Sequence, residues 1–182
     1  MRIFLLILNI FGYLTPILTH VTFTNLKCGT KDKNYAEFGK CSIKAVNRTH
    51  KYMDIHVNLY QKPVRNITVI FQLHVKLMRR DHGYKLFFMD VKVDICMFLK
   101  QQRQPFIKMI YDMFKNNSNI NHTCPYDHDI LVDHLWTGNL ETNVLNYIPL
   151  INGDYALFSE WSAYNVVRAF INLYVRVSDT RE

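Results

Sequence analysis

The stretch NITVIFQLHVKLM, residues 66–78, decides the fold class of this 182-residue chain. Every second residue from Ile67 to Leu77 is apolar, whereas the residues between them are mostly polar, such as Gln72 and Lys76. Side chains of a β-strand point alternately to its two faces, so this period of two predicts a strand with one buried and one solvated face. Such half-buried strands are typical of antiparallel sheets.

The same alternation recurs along most of the chain. It is clear in KYMDIHVNLY and in NVVRAFINLYVRV, residues 51–60 and 165–177. Further strands are predicted at 21–28, 40–48, 85–96, 130–137 and 154–162. Turns that carry Gly83 and Gly153 separate several of them. The pattern predicts an all-β chain of about seven to nine strands, folded as an antiparallel β-sandwich.

One segment, PFIKMIYDMFKN, breaks this rhythm and predicts a helical insertion near 105–116. Its apolar residues recur at helical spacing, and Pro105 suits the first turn of a helix. The stripe comprises Phe106, Met109, Ile110, Met113 and Phe114. A methionine-rich stripe of this kind either packs on a sheet or lines an adaptable ligand site, and the two roles are compatible.

The N-terminus indicates the compartment. Residues 1–20 read MRIFLLILNIFGYLTPILTH, with a basic residue, an apolar run and then Pro16, which is the order of a secretory signal peptide. An uncleaved anchor or a buried first helix is the alternative interpretation. We expect a secreted, extracellular protein whose single domain covers 21–182, with no later segment long enough to span a membrane.

Cysteines and glycosylation sequons agree with secretion. The chain has four cysteines, and an even number in an oxidising compartment predicts two disulfides. Three connectivities are possible; we expect the local one, Cys28–Cys41 and Cys96–Cys124. Four N-x-S/T sequons predict glycans on exposed asparagines, at Asn47, Asn66, Asn116 and Asn121.

The polar turn INHTCPYDHDI, residues 120–130, raises two alternatives to a disulfide anchor. His122, Cys124 and His128 with Cys96 are nominally a zinc ligand set, but their spacing matches no strong zinc pattern. The second alternative is a catalytic triad drawn from the acidic and histidine residues between Asp127 and His134. The sequence has no nucleophile in a strained turn of the G-x-S-x-G type, which argues against it. We therefore expect neither a metal, a cofactor nor catalysis.

The charge of the chain restricts its partners only slightly. A formal net charge of +7 is not arranged in a basic stripe with interleaved aromatic residues, so nucleic acid is not an expected partner. The basic cluster KLMRRDHGYK, residues 76–85, is either a solvated hairpin tip or a contact with an anionic lipid surface.

Ordered motifs across the chain resemble a known family. They are Phe23-x-x-Leu26-x-Cys28, Cys41-x-Ile43-Lys44-Ala45-Val46-x-Arg48, Val93-Asp94-x-Cys96-x-Phe98-Leu99, Asn121-His122-Thr123-Cys124-Pro125-Tyr126 and Gly153-Asp154-Tyr155. This order resembles the insect secreted family catalogued as domain of unknown function 1091. That family looks related to the ML lipid-recognition domains and to fly chemosensory proteins. One departure is visible at Tyr84-Lys85-Leu86-Phe87, where the family tends to place Pro-Phe after a Gly-Tyr turn.

The resemblance implies an immunoglobulin-like, ML-type sandwich that opens to admit a lipid or another apolar small molecule, without enzymatic activity. Strand alternation then suggests which side chains would line the ligand: Ile55, Val57, Val69, Phe71, Leu73, Val91, Val93, Val167, Ile171 and Leu173. The alternative is an extracellular interaction module with a closed core that binds a receptor or another secreted protein.

Overall fold

The computed structural model describes residues 20–47, 51–76, 83–138 and 150–178, in which eight strands and two α-helices follow one another. The strands are β1 (His20–Thr30), β2 (Ala36–Ala45), β3 (Lys51–Leu59), β4 (Ile67–Lys76), β5 (Lys85–Asp94), β6 (Ile130–Trp136), β7 (Gly153–Ala163) and β8 (Val166–Ser178). The helices are α1 (Ile95–Gln101) and α2 (Pro105–Phe114), and a 3-10 turn at Lys115–Asn117 follows α2. The predicted signal peptide lies outside the described residues, except for His20.

The strands form two antiparallel sheets, which confirms the predicted all-β sandwich. The larger sheet has the order β1-β8-β7-β4-β5, and the smaller has the order β2-β3-β6. The alternation that predicted β4 corresponds to burial, because Val69, Phe71 and Leu73 are all less than 10% exposed. Strands β4 and β5 pair as the expected hairpin, although its basic tip lies outside the described residues.

The β7–β8 hairpin shows how local chemistry sets the register. Its two-residue turn, Tyr164-Asn165, has φ values of 53° and 62°, which are the positive angles of the turn that suits the right-handed twist of paired strands. Ala163 and Val166 pair directly across the turn. The longest pairing in the larger sheet therefore begins at a defined register.

The helical insertion begins earlier than predicted. The expected strand at 85–96 ends at Asp94, whose carboxylate accepts a hydrogen bond of 2.8 Å from Met97 N and caps helix α1. Cys96 therefore lies in the first turn of α1, and not at the end of a strand. Helix α2 occupies most of the predicted 105–116 segment, with Pro105 in its first turn.

Both expected disulfides are formed. Cys28–Cys41 joins β1 to β2, which are edge strands of the two different sheets. Cys96–Cys124 joins the start of α1 to the segment that follows the 3-10 turn. The first bond therefore connects the two sheets, whereas the second connects the two ends of the helical insertion.

Candidate ligand-binding cavity

A cavity of about 310 Å³ lies between the two sheets. Inward-facing side chains of seven strands line it, helix α2 supplies a large part of the remaining wall, and α1 and the connecting segments complete it. Strand β5 contributes no lining residue among those whose side chains the structure describes. The volume is at the lower end of the roughly 300–1,000 Å³ that is usual for small-molecule sites.

The lining side chains show that the two sheets do not close completely on each other. Ile55, Leu157 and Leu173 face the interior but are only half-buried, because no protein atom covers the side that faces the cavity. In contrast, Val69 and Val93 are 0% and 1% exposed and are fully packed. The interior is therefore close-packed near the β4–β5 hairpin and open between β3 and β8.

Helix α2 contributes its apolar stripe to the cavity. Phe106, Met109, Ile110, Met113 and Phe114 all line it. On the neighbouring side of the same helix, Ile107 and Tyr111 are buried in the close-packed cluster that contains Val69. The helix thus both packs on the sandwich and lines the cavity, the two roles that the sequence left open.

The structure places six of the ten residues suggested by alternation on the cavity wall: Ile55, Val57, Phe71, Leu73, Ile171 and Leu173. It places the other four elsewhere. Val69 and Val93 are packed in the core, and Val91 is half-buried against the same cluster. Val167 is half-buried but does not line the cavity.

A β-bulge explains why Val167 faces elsewhere. Trp161 pairs with Ala169 and Ser162 pairs with Val167, so Arg168 is an extra residue in β8. A bulge of this kind interrupts the alternation of side chains. As a result Arg168, which alternation assigned to the polar face, lines the cavity.

Most polar groups on the cavity wall are satisfied within the protein. The Tyr155 hydroxyl donates to Ile151 O at 2.8 Å, and the Tyr126 hydroxyl donates to His122 O at 2.6 Å. Trp161 Nε1 donates to Ser159 Oγ, which itself donates to Ile171 O. Burial raises the pKa of Tyr126 and of Tyr155, so both phenols stay protonated at neutral pH. These groups leave the wall effectively apolar.

The polar turn at 120–130 is arranged differently from a zinc site. Cys96 and Cys124 form a disulfide, so two of the four nominal ligands are not thiolates. His122 and His128 remain, and their Nε2 atoms lie 2.9 Å apart. His122 Nδ1 is 2.8 Å from Thr123 O, and His128 Nδ1 is 3.0 Å from Asn119 Nδ2. His128 Nδ1 also lies 2.9 Å from Asp129 O, so the two rings contact each other and neighbouring groups of the turn.

A second polar group lies on the smaller sheet, around the buried Asp54. This residue is 2% exposed; its carboxylate accepts from His134 N at 2.9 Å and pairs with Lys40 Nζ at 2.9 Å. Burial would raise the pKa of Asp54, but these contacts outweigh it and lower the pKa to about 2. Asp54, Asp133 and His134 offer ligand atoms within 4.8 Å of one another. Because the Lys40 ammonium already neutralises Asp54, we interpret the group as a tie between β2, β3 and β6.

All four asparagines of the predicted sequons are exposed: Asn47, Asn66, Asn116 and Asn121. None of them lines the cavity. Glycans at these positions would therefore leave its wall unchanged.

Comparison with known proteins adds one finding. The model of a family described as protein of unknown function (DUF1091) matches residues 73–157. The match supports the expected family. It runs from the middle of β4 to the middle of β7 and includes helix α2 and the motifs around Cys96 and Cys124. No curated protein matches the sequence.

Within the described part of the chain, no helix is long and apolar enough to cross a membrane.

Proposed function

We propose that this protein is a secreted, non-enzymatic binding protein that holds a hydrophobic small molecule, a lipid or a pheromone-like compound, between its two sheets. The observation that carries the proposal is the apolar cavity of about 310 Å³. Its dimensions and composition suit a ligand that is recognised mainly by burial of apolar surface.

The energetic cost of an empty cavity supports an occupant. Apolar side chains that face an empty space lose contacts with neighbouring atoms, which makes the empty state less favourable. An apolar ligand would restore contacts to the half-buried side chains and gain roughly 25 cal/mol for each Å² of apolar surface removed from water.

Helix α2 would adapt the site to its ligand. Met109 and Met113 are unbranched and flexible, and both face the cavity. A wall that carries such side chains can follow the shape of several apolar molecules. We therefore expect the cavity to bind a class of apolar molecules and not one ligand of fixed shape.

The rest of the molecule is consistent with an extracellular role. Two formed disulfides suit an oxidising compartment, and the exposed sequons suit glycosylation. The resemblance of the sequence motifs supports two further parts of the proposal. These are a relation to the ML lipid-recognition domains and a role in chemosensory perception.

A cavity-filling substitution tests the proposal directly. Leu173→Phe places a larger side chain on the cavity wall, and we expect about a tenfold loss of affinity for an apolar dye such as N-phenyl-1-naphthylamine, with a nearly unchanged melting temperature. The matched control is Leu131→Phe, since Leu131 is 39% exposed and does not line the cavity. Equal dye affinity in both variants, or a fall in stability at Leu173 alone, would contradict the cavity.

Trp161 makes the binding measurable without a dye. It lines the cavity, whereas the other tryptophan, Trp136, packs 5.1 Å from Tyr52 and does not line it. In a Trp136→Phe background, the fluorescence of Trp161 therefore reports on the cavity alone. Native mass spectrometry of protein secreted from insect cells would then identify a co-purifying ligand. A bare protein with unresponsive Trp161 fluorescence would favour the interaction module instead.

A further inference from the structure

Tyr35 and Arg168 form a polar corner of the cavity. Both line it, and the Arg168 guanidinium carbon lies 4.2 Å from the centre of the Tyr35 ring. Tyr35 is 3% exposed, and the side chain of Arg168 is 18% exposed. Tyr35 lies in the β1–β2 connection, and Arg168 is the bulge residue of β8.

Each of these residues has a buried donor without a partner. Among the described residues that line the cavity, only the Tyr35 hydroxyl and Arg168 Nε are buried polar side-chain atoms with no hydrogen bond. By contrast, the hydroxyls of Tyr126, Tyr155 and Ser159 on the same wall are all bonded. Buried polar groups in native proteins are nearly always paired, so two orphan donors side by side indicate a missing acceptor.

The Arg168 guanidinium can only donate, whereas the protonated Tyr35 hydroxyl can donate to the same acceptor. Burial raises the pKa of Tyr35, with smaller effects from Tyr164 and Asp32, and Arg168 opposes them only in part. The guanidinium has five N–H donors and no acceptor. The complementary ligand atom is therefore a hydrogen-bond acceptor.

The charge of the corner is already balanced. Arg168 Nη1 pairs with the Asp32 carboxylate, which also accepts a hydrogen bond from Asn34 N. A ligand carboxylate here would add a second buried negative charge near Asp32, and burying an unbalanced charge is unfavourable. An uncharged acceptor avoids this cost.

We propose that the Tyr35–Arg168 corner binds an uncharged carbonyl-type oxygen of the ligand, such as that of an ester, aldehyde or ketone, while its hydrocarbon chain fills the rest of the cavity. This inference rests on the proposed function and names the ligand class of that same site. The two donor atoms are covered in the present structure, so the ligand must displace part of the wall, and side-chain adjustments of this kind are common on binding. The cavity volume of about 310 Å³ is within the range of small-molecule sites, so it accommodates a hydrocarbon chain.

The test compares three probes of similar length: methyl decanoate, decanoate and undecane, each delivered from cyclodextrin and followed by Trp161 fluorescence in the Trp136→Phe background. Tyr35→Phe removes only the orphan hydroxyl. We expect affinity for methyl decanoate to fall about tenfold and affinity for undecane to change less than twofold. We also expect the melting temperature to stay the same or rise, because no protein hydrogen bond is lost.

Two further variants distinguish ligand binding by the Tyr35–Arg168 corner from binding by the rest of the cavity. Tyr60→Phe makes the same change at a residue that is 55% exposed and does not line the cavity, and it should alter no affinity. Arg168→Lys keeps the charge beside Asp32 but removes Nε, and it should also weaken methyl decanoate selectively.

Three results would overturn the inference. Equal losses for methyl decanoate and undecane in Tyr35→Phe would show that the hydroxyl does not bind the oxygen. Tighter wild-type binding of decanoate than of methyl decanoate would refute the uncharged class. Failure of all three probes to bind the wild type would instead refute the proposed function, and with it this inference.

Discussion

The two edges of the sandwich are joined in different ways. At one edge β1 and β2 are separated only by residues 31–35, and Cys28–Cys41 bonds the two sheets directly. At the other edge β5 and β6 are separated by residues 95–129, and Cys96–Cys124 bonds only the ends of that insertion. The β1–β2 edge is therefore covalently fixed, whereas the β5–β6 edge depends on the packing of helix α2.

This difference has a functional consequence. A cavity that lies between two sheets can change its width only where the sheets are not tied together. The side chains of α2 that line the cavity belong to the edge without a covalent tie between the sheets. We therefore expect ligands to pass at the α2 side, and the orphan donors of Tyr35 and Arg168 to lie towards the fixed β1–β2 edge.

Removing each disulfide in turn should give the largest effects and tests the difference between the two edges most directly. In the chain-entropy model, closing loops with separations of 13 and 28 residues stabilises the fold by about 3 and about 3.5 kcal/mol. We expect losses of that size in urea unfolding for Cys28→Ala/Cys41→Ala and for Cys96→Ala/Cys124→Ala. Only the first pair ties the sheets, so it should also weaken dye binding more. Equal effects on dye binding would argue against a fixed edge.

A matched pair of substitutions on helix α2 separates packing from ligand contact. Ile107 is 4% exposed in the core, whereas Ile110 is half-buried and lines the cavity. We expect Ile107→Ala to lower the free energy of unfolding by about 2–4 kcal/mol, and Ile110→Ala to lower it by only about 1 kcal/mol. Dye affinity should show the opposite order. The comparison fails if Ile110→Ala is the more destabilising of the two.

Asp54 gives an effect that is confined to low pH and serves as a control away from the cavity. Its pKa of about 2 in the folded protein is below the ordinary 3.8, so its contribution is complete above pH 3.8 and is lost as the pH falls towards 2. The loss should be about 2 kcal/mol, because one pKa unit corresponds to about 1.4 kcal/mol. In Asp54→Asn this part of the pH dependence of urea unfolding should disappear while dye affinity stays unchanged. An unaltered pH profile would show that Asp54 is not the group responsible.

The sequence predicted the local structure well where one physical signal dominated. Period-two alternation located β3, β4 and β8, and helical spacing located α2. It missed α1, because Ile95–Gln101 is too short to show a clear helical period and directly follows an apolar strand. The proximity of the cysteines in sequence predicted both disulfides.

The candidate site was harder to predict. Alternation tells which side chains face inward, and it placed Ile55, Ile171 and Leu173 on the inner face. It cannot tell whether an inward side chain meets a neighbour, as Val69 does, or an open space. The bulge at Arg168 also reverses the alternation locally, and no residue pattern in NVVRAFINLYVRV predicts this bulge.

The sequence by itself determined most of the strands and the helix stripe, and it favoured the local cysteine pairs and an exposed position for each sequon asparagine. Those properties depend on residues that are close along the chain or on the chemistry of single side chains. The tertiary structure alone decided that the sheets stand apart around a cavity of about 310 Å³ and that Tyr35 and Arg168 meet at its wall. The reason is that the distance between two sheets results from the packing of all their side chains together, which no local pattern records.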